Sequence, residues 1–372
     1  MIIIIIMKLT TNKKDFQKII NLAERNSGKN TTLPILSAVL LKTSKNKATV
    51  TSTNLETGFE ASLPARVEKD GVAAIPAKPL LNLLSSTLDG ELKLESSGSS
   101  LRLVSKNSST NLKCFPYDDF PQLPKIESGN SFKLHSSELC ASLLQTISAS
   151  SSSQLKPELA SVFIFSKNKT PLTFAATDSF RLSECRTLTS PVTQVSILIP
   201  QRSAQEVIKI FEDENEEVEI SFNKSQALFK SKNTFFLTRL NDGNFPDYQM
   251  VVPKSFATQV VIDKAGFLGA VRAASVFSSR LSDVVLKASA DEGVLEVNSS
   301  ESETGEHRSI ATAKISGENV EINFNYHYLL DTLQAIPESK LFIGFNGQSK
   351  AALLRGFDSG SCFHLVMPMR IS

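Results

Sequence analysis

The sequence predicts an α+β protein assembled from three copies of one domain of about 120 residues. Three observations predict it. The segments around Phe16, Leu139 and Phe267 each pass from a short apolar strand through a polar turn into an amphipathic helix, and these anchors are 123 and 128 residues apart. Ile75-Pro76, Ile199-Pro200 and Phe324-Asn325 each close a strand and open a second helix, 124 and 125 residues apart. Asp119-Phe120-Pro121 and Asn244-Phe245-Pro246 close the first two copies 125 residues apart, and proline-rich links follow to Pro124 and Pro253. Self-similarity at a fixed period marks an internal repeat, and proline at the seams favours extended links.

Each copy reads strand–helix–strands–helix–strands. In the first, Phe16, Ile19, Ile20 and Ala23 recur at helical spacing over 15–24, the stripe of one buried face. Pro34-Ile35-Leu36 opens an expected strand through Leu41, and Thr49–Thr53 alternates as its partner. Leu80, Leu81, Leu83 and Leu84 mark a second helix, and Leu92-x-Leu94 with Leu101-x-Leu103 a hairpin turning at Ser97-Gly98. The second copy repeats this with Leu139, Leu143 and Ile147, strands at 162–165 and 172–176, a helix at Val207, Ile208 and Phe211, and a strand from Val218. The third gives Phe267, Val271 and Ala274, strands at 284–288 and 294–297, and a helix at Tyr328, Leu329 and Leu333. Leu341-x-Ile343 and Leu353-Leu354 end it. The expected domains are 7–126, 127–254 and 255–372, after an N-terminal extension at 1–6.

The totals narrow the function by exclusion. A net charge of +2, from 40 basic and 38 acidic groups, is not that of a dedicated polycation. Cys114, Cys140, Cys185 and Cys362 contain no CxxC pair, so reduced thiols in a cytoplasmic protein are expected. Five isoleucines lie between Met1 and Met7, too short a run to span a bilayer and without the marks of a signal peptide; Met7 is an alternative start, and no membrane association is expected. His135, His307, His327 and His364 are scattered, and Gly344-x-x-Gly347 with Lys350 lacks phosphate-loop spacing. Asp178 and Arg181 read as a structural ion pair, and the acidic run 212–217 as a solvated helix end. No catalytic set, metal site or cofactor is expected.

Two helices per domain on antiparallel sheet make an α+β layer. With helices about 9 Å apart, six would line a circle only about 17 Å across, whereas twelve give about 34 Å. Duplex DNA with its hydration fits the second, so a homodimer is expected.

The chain resembles the bacterial DNA polymerase III beta subunit family, the sliding clamps, from Met7 to its end. The residues that carry the resemblance are Thr32-Leu33-Pro34-Ile35-Leu36, Ala176-Thr177-Asp178 with Arg181-Leu182, Asn244-Phe245-Pro246-Asp247-Tyr248 with Val252-Pro253-Lys254, and Val366-Met367-Pro368-Met369-Arg370. The resemblance implies three clamp domains, a ring closed as a head-to-tail homodimer around double-stranded DNA without sequence preference, and a non-catalytic processivity role. It implies partners too: the polymerase III alpha subunit, the clamp loader, and other polymerases and repair proteins, docking by short hydrophobic peptides. An open repeat scaffold, or a DNA-binding protein without ring closure, is the competing reading.

Carried over by position, the peptide pocket would use Leu159, Thr177, Ser179, Phe180, Arg181 and Leu182 from the second domain. It would add Pro246 and Val251 from the link, and Leu365, Met367, Pro368, Met369 and Arg370 from the C-terminus, with Asn325 and Tyr328 flanking. Methionine suits such a cleft because it repacks cheaply around varied anchors. The same pattern also fits an edge strand in which Met367 and Met369 alternate. Ser179-Phe180 stand where the family often has Gly-His, which makes the rim more apolar.

The DNA-facing candidates are Lys13, Lys14, Lys18, Arg25 and Lys29 near the first helix, Arg202 and Lys209 on the fourth, and Lys264, Arg272 and Arg280 near the fifth. Ordinary solvated helix faces would look the same. Asn30 and the uncharged loop Ser148–Ser153 depart from the family pattern and imply weaker or differently placed phosphate contacts. For the subunit seam the resemblance sets Leu112 against Val276 and Phe277 of the second copy.

Overall fold

The computed structural model describes residues 7–369 except 30, 31, 98, 125, 127, 128, 168, 169, 192 and 193. The proposed extension Met1–Ile6, the turn glycine Gly98, Asn30 and the pocket residue Arg370 therefore lie outside the described residues. The first repeat runs β1 (Lys8–Asn12), α1 (Lys13–Arg25), β2 (Ala38–Ser44), β3 (Lys47–Thr53), β4 (Thr57–Leu63), β5 (Ala65–Lys69), β6 (Gly71–Pro76), α2 (Ala77–Ser86), β7 (Glu91–Ser97), β8 (Ser100–Val104) and β9 (Ser109–Lys113). The second runs β10 (Asn130–His135), α3 (Ser136–Thr146), β11 (Ser161–Ser166), β12 (Thr173–Thr177), β13 (Arg181–Arg186), β14 (Val195–Pro200), α4 (Gln201–Phe211), β15 (Glu217–Phe222), β16 (Gln226–Lys230) and β17 (Thr234–Arg239). The third runs β18 (Thr258–Asp263), α5 (Lys264–Ser275), β19 (Asp283–Ser289), β20 (Val294–Glu301), β21 (Gly305–Gly317), β22 (Val320–Asn325), α6 (Tyr326–Ala335), β23 (Lys340–Phe345), β24 (Ala352–Gly356) and β25 (Cys362–Val366). The expected class and repeat order are those observed.

Local chemistry explains where the helices start and which face they bury. The Asn12 carboxamide accepts from Lys14 N and starts α1, whose Phe16, Ile20 and Ala23 are fully buried. Asp263 caps α5 through Gly266 N, and Asn325 caps α6 through His327 N. Phe267, Val271 and Ala274 of α5 are buried against β18–β21. Burying a side chain as large as Phe267 contributes about 2–3 kcal/mol.

Pro34–Ser37 forms a 3-10 turn, and the strand expected from Pro34 begins only at Ala38. Proline lacks an N–H and has φ preset for a helical first turn, so it starts the turn rather than a ladder. The 13-residue β21 was not apparent from the sequence. It runs past the place where the first repeat breaks between β4 and β5.

The described residues pack as two compact units, one within 7–136 and 209–240, the other within 137–208 and 241–369. The middle repeat is divided because its two halves pair with different neighbours. In the first unit β17 lies antiparallel to β4, so β10 and β15–β17 join β4, β3, β2 and β6 in one eight-stranded sheet. In the second unit β13 lies antiparallel to β25, and β14, β11, β12 and β13 thereby join the third repeat in a twelve-stranded sheet. A five-stranded sheet, β5-β1-β7-β8-β9, completes the first unit and ends on β9.

Cys185 and Cys362, expected as reduced thiols, are joined by a disulfide. The β13·β25 pairing sets them directly opposite each other despite 177 residues of separation in sequence, which spacing rules do not reveal. Cys114 and Cys140 remain thiols, and burial pushes Cys114 up to about 11.

Candidate partner-peptide site

The site begins as a repeated turn. Asp178 Oδ1 accepts from the amides of Phe180 and Arg181, at 2.9 and 3.0 Å. Thr177 Oγ1 donates to the Arg181 carbonyl and accepts from Ser179 N, and Ser179 takes φ 79°. The same bonds occur 124 residues earlier: Asn54 Oδ1 accepts from Glu56 and Thr57 amides, Thr53 Oγ1 spans Thr57 O and Leu55 N, and Leu55 takes φ 74°. Asx side chains tolerate and favour such turns. What the turn presents differs. Glu56 meets Arg239 at 3.5 Å, whereas Phe180 presents a ring that is 59% exposed.

Arg181 is fixed from three sides. Its Nε lies 3.0 Å from Asp178 Oδ2, its Nη1 2.5 Å from Asp331 Oδ2, and its guanidinium 4.6 Å from the Tyr328 ring centre. The Phe180 ring stacks on Tyr328 at 6.4 Å and 19°. Burial, and then the Asp178 charge, raise the Tyr328 hydroxyl above its usual range, so it remains a neutral donor. The Asp178–Arg181 ion pair expected from the sequence is present. Asp331 was missed, although it lies at i+3 from Tyr328 on α6 and shares its face.

The C-terminal segment is placed by the repeat as well. After each repeat's last strand one amide bonds back to the strand that precedes its second helix: Phe115 N to Ala74 O, Asn241 N to Leu198 O, and Met369 N to Asn323 O. In the third copy Met367 N also donates to Phe180 O, at 2.8 Å. These two bonds hold Met367, Pro368 and Met369 beside the Phe180 turn, with Met367 41% exposed.

Leu159, Thr177, Leu182 and Leu365 are at least nine-tenths buried and offer little exposed contact surface. Pro246 and Val251 are exposed on the link, as is Met250, at 90%, a residue that no motif in the sequence marks. The link is anchored by Tyr248, whose hydroxyl donates to the buried Glu184 Oε2 at 2.5 Å while Arg186 Nε meets Oε1 at 2.8 Å. Asn325 is engaged in capping α6. Thr177, Ser179, Phe180, Arg181 and Tyr328 meet in this cluster, Leu182 pairs with Leu365 beneath it, and Met367, Pro368 and Met369 follow beside it. Leu159, Pro246 and Val251 take no part in these contacts, Asn325 acts through α6, and Arg370 is outside the described residues.

Among the basic candidates, two are engaged in the fold. Lys13 is 8% exposed and meets Asp89 at 3.2 Å, and Lys264 donates to the Ile336 carbonyl at 2.6 Å. Lys14, Lys18 and Lys209 are exposed and pair with Asp89, Asp213 and Glu212. Such surface pairs contribute little to stability and are screened by salt. Arg25, Lys29, Arg202, Arg272 and Arg280 are also exposed. The acidic run is engaged as well: Thr234 Oγ1 donates to Glu214 and Lys232 N to Glu216. No group of three potential metal ligands occurs among the described residues. Gly344 lies where a Cβ would strike the Phe256 ring, so it serves close packing rather than phosphate binding.

Leu112 lies half-buried on β9, the sheet edge, opposite Leu101 of β8. In the other unit Val276 is 68% exposed after α5, and Phe277 stacks on His307 of β21 at 5.8 Å.

Family models of the DNA polymerase III beta subunit match the chain in order: the N-terminal domain over 7–124, the central domain over 133–247 and the C-terminal domain over 249–370. The beta sliding clamp of Staphylococcus epidermidis is 28% identical over 352 residues, covering 91% of this chain and 93% of that protein. That of Staphylococcus aureus is 27% identical with the same coverage. Among solved structures, the DNA polymerase sliding clamp of Bacillus subtilis is 26% identical with a TM-score of 0.89, and the polymerase beta subunit of Streptococcus pyogenes 25% with 0.90. Both alignments cover 98% of this chain and all of the other. A match in three consecutive segments, over a fold of the same order, means that the chain belongs to the DNA polymerase III beta subunit family, the sliding clamps.

Proposed function

We propose that two copies of this chain close head to tail into a ring around double-stranded DNA, and that the Phe180–Tyr328–Met367 surface captures short hydrophobic peptides of replication and repair proteins. Family membership makes the chain a non-catalytic DNA clamp of replication and does not favour the open scaffold.

One observation carries the ring. Both internal junctions use the same strand positions: the fourth strand of one repeat pairs with the last strand of the next, as β4·β17 and β13·β25. The third repeat's equivalent is the first half of β21, which pairs with β20 on one side only, and the first repeat's last strand is β9, a sheet edge. An unpaired edge is a template for another strand, and a second copy offers the complementary one. Val276, Leu281 and Ile310, each more than half exposed, lie on or near the β21 side, as an apolar interface core requires. Closure in C2 symmetry satisfies both edges of both chains.

Inside the ring Lys14, Lys18, Arg25, Lys29, Arg202, Lys209, Arg272 and Arg280 would meet phosphates, contacts that position DNA without reading sequence. For the peptide surface, the polymerase alpha subunit, the clamp loader, and other polymerases and repair proteins are the proposed partners. No helix among the described residues is long and apolar enough to cross a membrane.

The test is retention on nicked circular DNA after loading by the cognate clamp loader with ATP. Retention on circles that is lost on linearisation is expected; retention that survives cutting would refute enclosure. Removal of 367–372 is expected to abolish peptide binding and leave the dimer intact, and undiminished binding would remove the site assignment.

A further inference from the structure

We propose that the Cys185–Cys362 pair is a thiol–disulfide exchange site through which a dithiol reductant sets the firmness of the β13·β25 seam. The bond joins the middle and third repeats across the strand pairing that, among the described residues, alone holds β11–β14 to the third repeat in the twelve-stranded sheet. The ladder fixes its geometry. Arg186 N donates to Ser361 O, and Met367 N to Phe180 O, so alternate residue pairs along the seam are hydrogen-bonded. Cys185 and Cys362 then form a non-hydrogen-bonded pair, where opposed side chains come closest, with their Cα atoms 4.1 Å apart.

The two sulfurs are unequally accessible. Cys185 is 1% exposed, whereas Cys362 is partly exposed at the start of β25, beside the exposed Ser361. A reductant thiolate therefore attacks Cys362 Sγ, forms a mixed disulfide there, and releases Cys185 as a thiolate that takes up a proton. The second thiol of the reductant then attacks its own sulfur in that mixed disulfide and releases Cys362. The reductant ends as a cyclic disulfide and the protein gains two thiols.

The seam has the exchange site at one end and the tail at the other. Six residue steps along β25 and past its end separate Ser361 from Met367, roughly 20 Å of strand. With the covalent link present, both ends of the ladder are closed: the Cys pair at one, the Met367–Phe180 bond at the other. Without it, the seam depends on five strand pairs, and the ladder is free to open from the Cys end toward the residues that hold Met367.

Purified full-length protein, oxidised in air, is unfolded without reductant and its thiols counted. Two, from Cys114 and Cys140, are expected, and four after dithiothreitol; four before reduction would overturn the proposal. Amide hydrogen exchange of Arg186 and Met367 is expected to quicken about tenfold on reduction and to be unaffected by reductant in C362S. Equal protection in both redox states would overturn the proposal even with the bond present. A fivefold or greater loss of peptide affinity on reduction is the expected consequence at the tail. That effect presupposes the peptide surface, whereas thiol count and hydrogen exchange do not, so failure of one reading is distinguishable from failure of the other.

Discussion

Replacing Tyr248 by Phe deletes a single hydroxyl beneath the link that carries Pro246 and Val251. The ring is retained, so its edge-on packing with Phe245, at 5.9 Å and 87°, survives. What is lost is the bond to Glu184 Oε2, 2.5 Å long and buried, in which Tyr248 is 6% and Glu184 3% exposed. Burial first, and then the Glu184 bond and charge, hold the Tyr248 phenol far above its usual pKa, so it is the donor at every ordinary pH. A hydrogen bond to a charged group contributes about 1.5–3 kcal/mol, and a buried carboxylate oxygen that loses its donor keeps its desolvation cost. Arg186 still meets the other oxygen at 2.8 Å, which limits the damage. The expected loss is therefore about 2 kcal/mol, roughly thirtyfold in the folded-to-unfolded ratio. Urea unfolding of Y248F against the parent measures it. In an E184Q background the same substitution should cost much less, because the charge that made the bond strong has gone. A loss below about 0.5 kcal/mol, or the same loss in both backgrounds, would refute this account of the link.

Two further outcomes follow from particular groups. His364 is fully buried, its Nδ1 is 2.8 Å from Ser183 Oγ, its Nε2 is without a partner, and burial lowers it to about 4. The unfolded chain, titrating near 6.5, binds the proton first, so this contribution is intact above pH 6.5 and is lost as pH falls toward 4, by about 3 kcal/mol in all. The difference in stability between the parent and H364N should show that slope, and a difference flat from pH 7 to 4 would exclude it. Val276→Asp, at a position 68% exposed in the protomer, should keep the protomer's circular dichroism spectrum yet yield monomers in sedimentation velocity. Persistent dimers would shift the seam elsewhere.

Much of this molecule is legible in its sequence because much of it is local. Apolar spacing and capping residues define the helices at Phe16, Phe267 and Leu329, and each strand-to-helix step at Pro76, Pro200 and Asn325 occurs where the repeat sets it. The Asx turn at Asp178 needs only its own five residues and recurs at Asn54 for the same reason. Tertiary structure alone decided the rest. Strand pairing divided the middle repeat between two units, because β17 pairs with β4 and β13 with β25, choices that hydrogen-bonding edges make and periodicity does not encode. It set Cys185 opposite Cys362, brought Asp331 to Arg181 across 150 residues, and engaged Lys13 and Lys264 within the fold although their sequence neighbourhoods looked solvated. A side chain's role depends on the groups that surround it in space, and for these residues those groups come from distant parts of the chain.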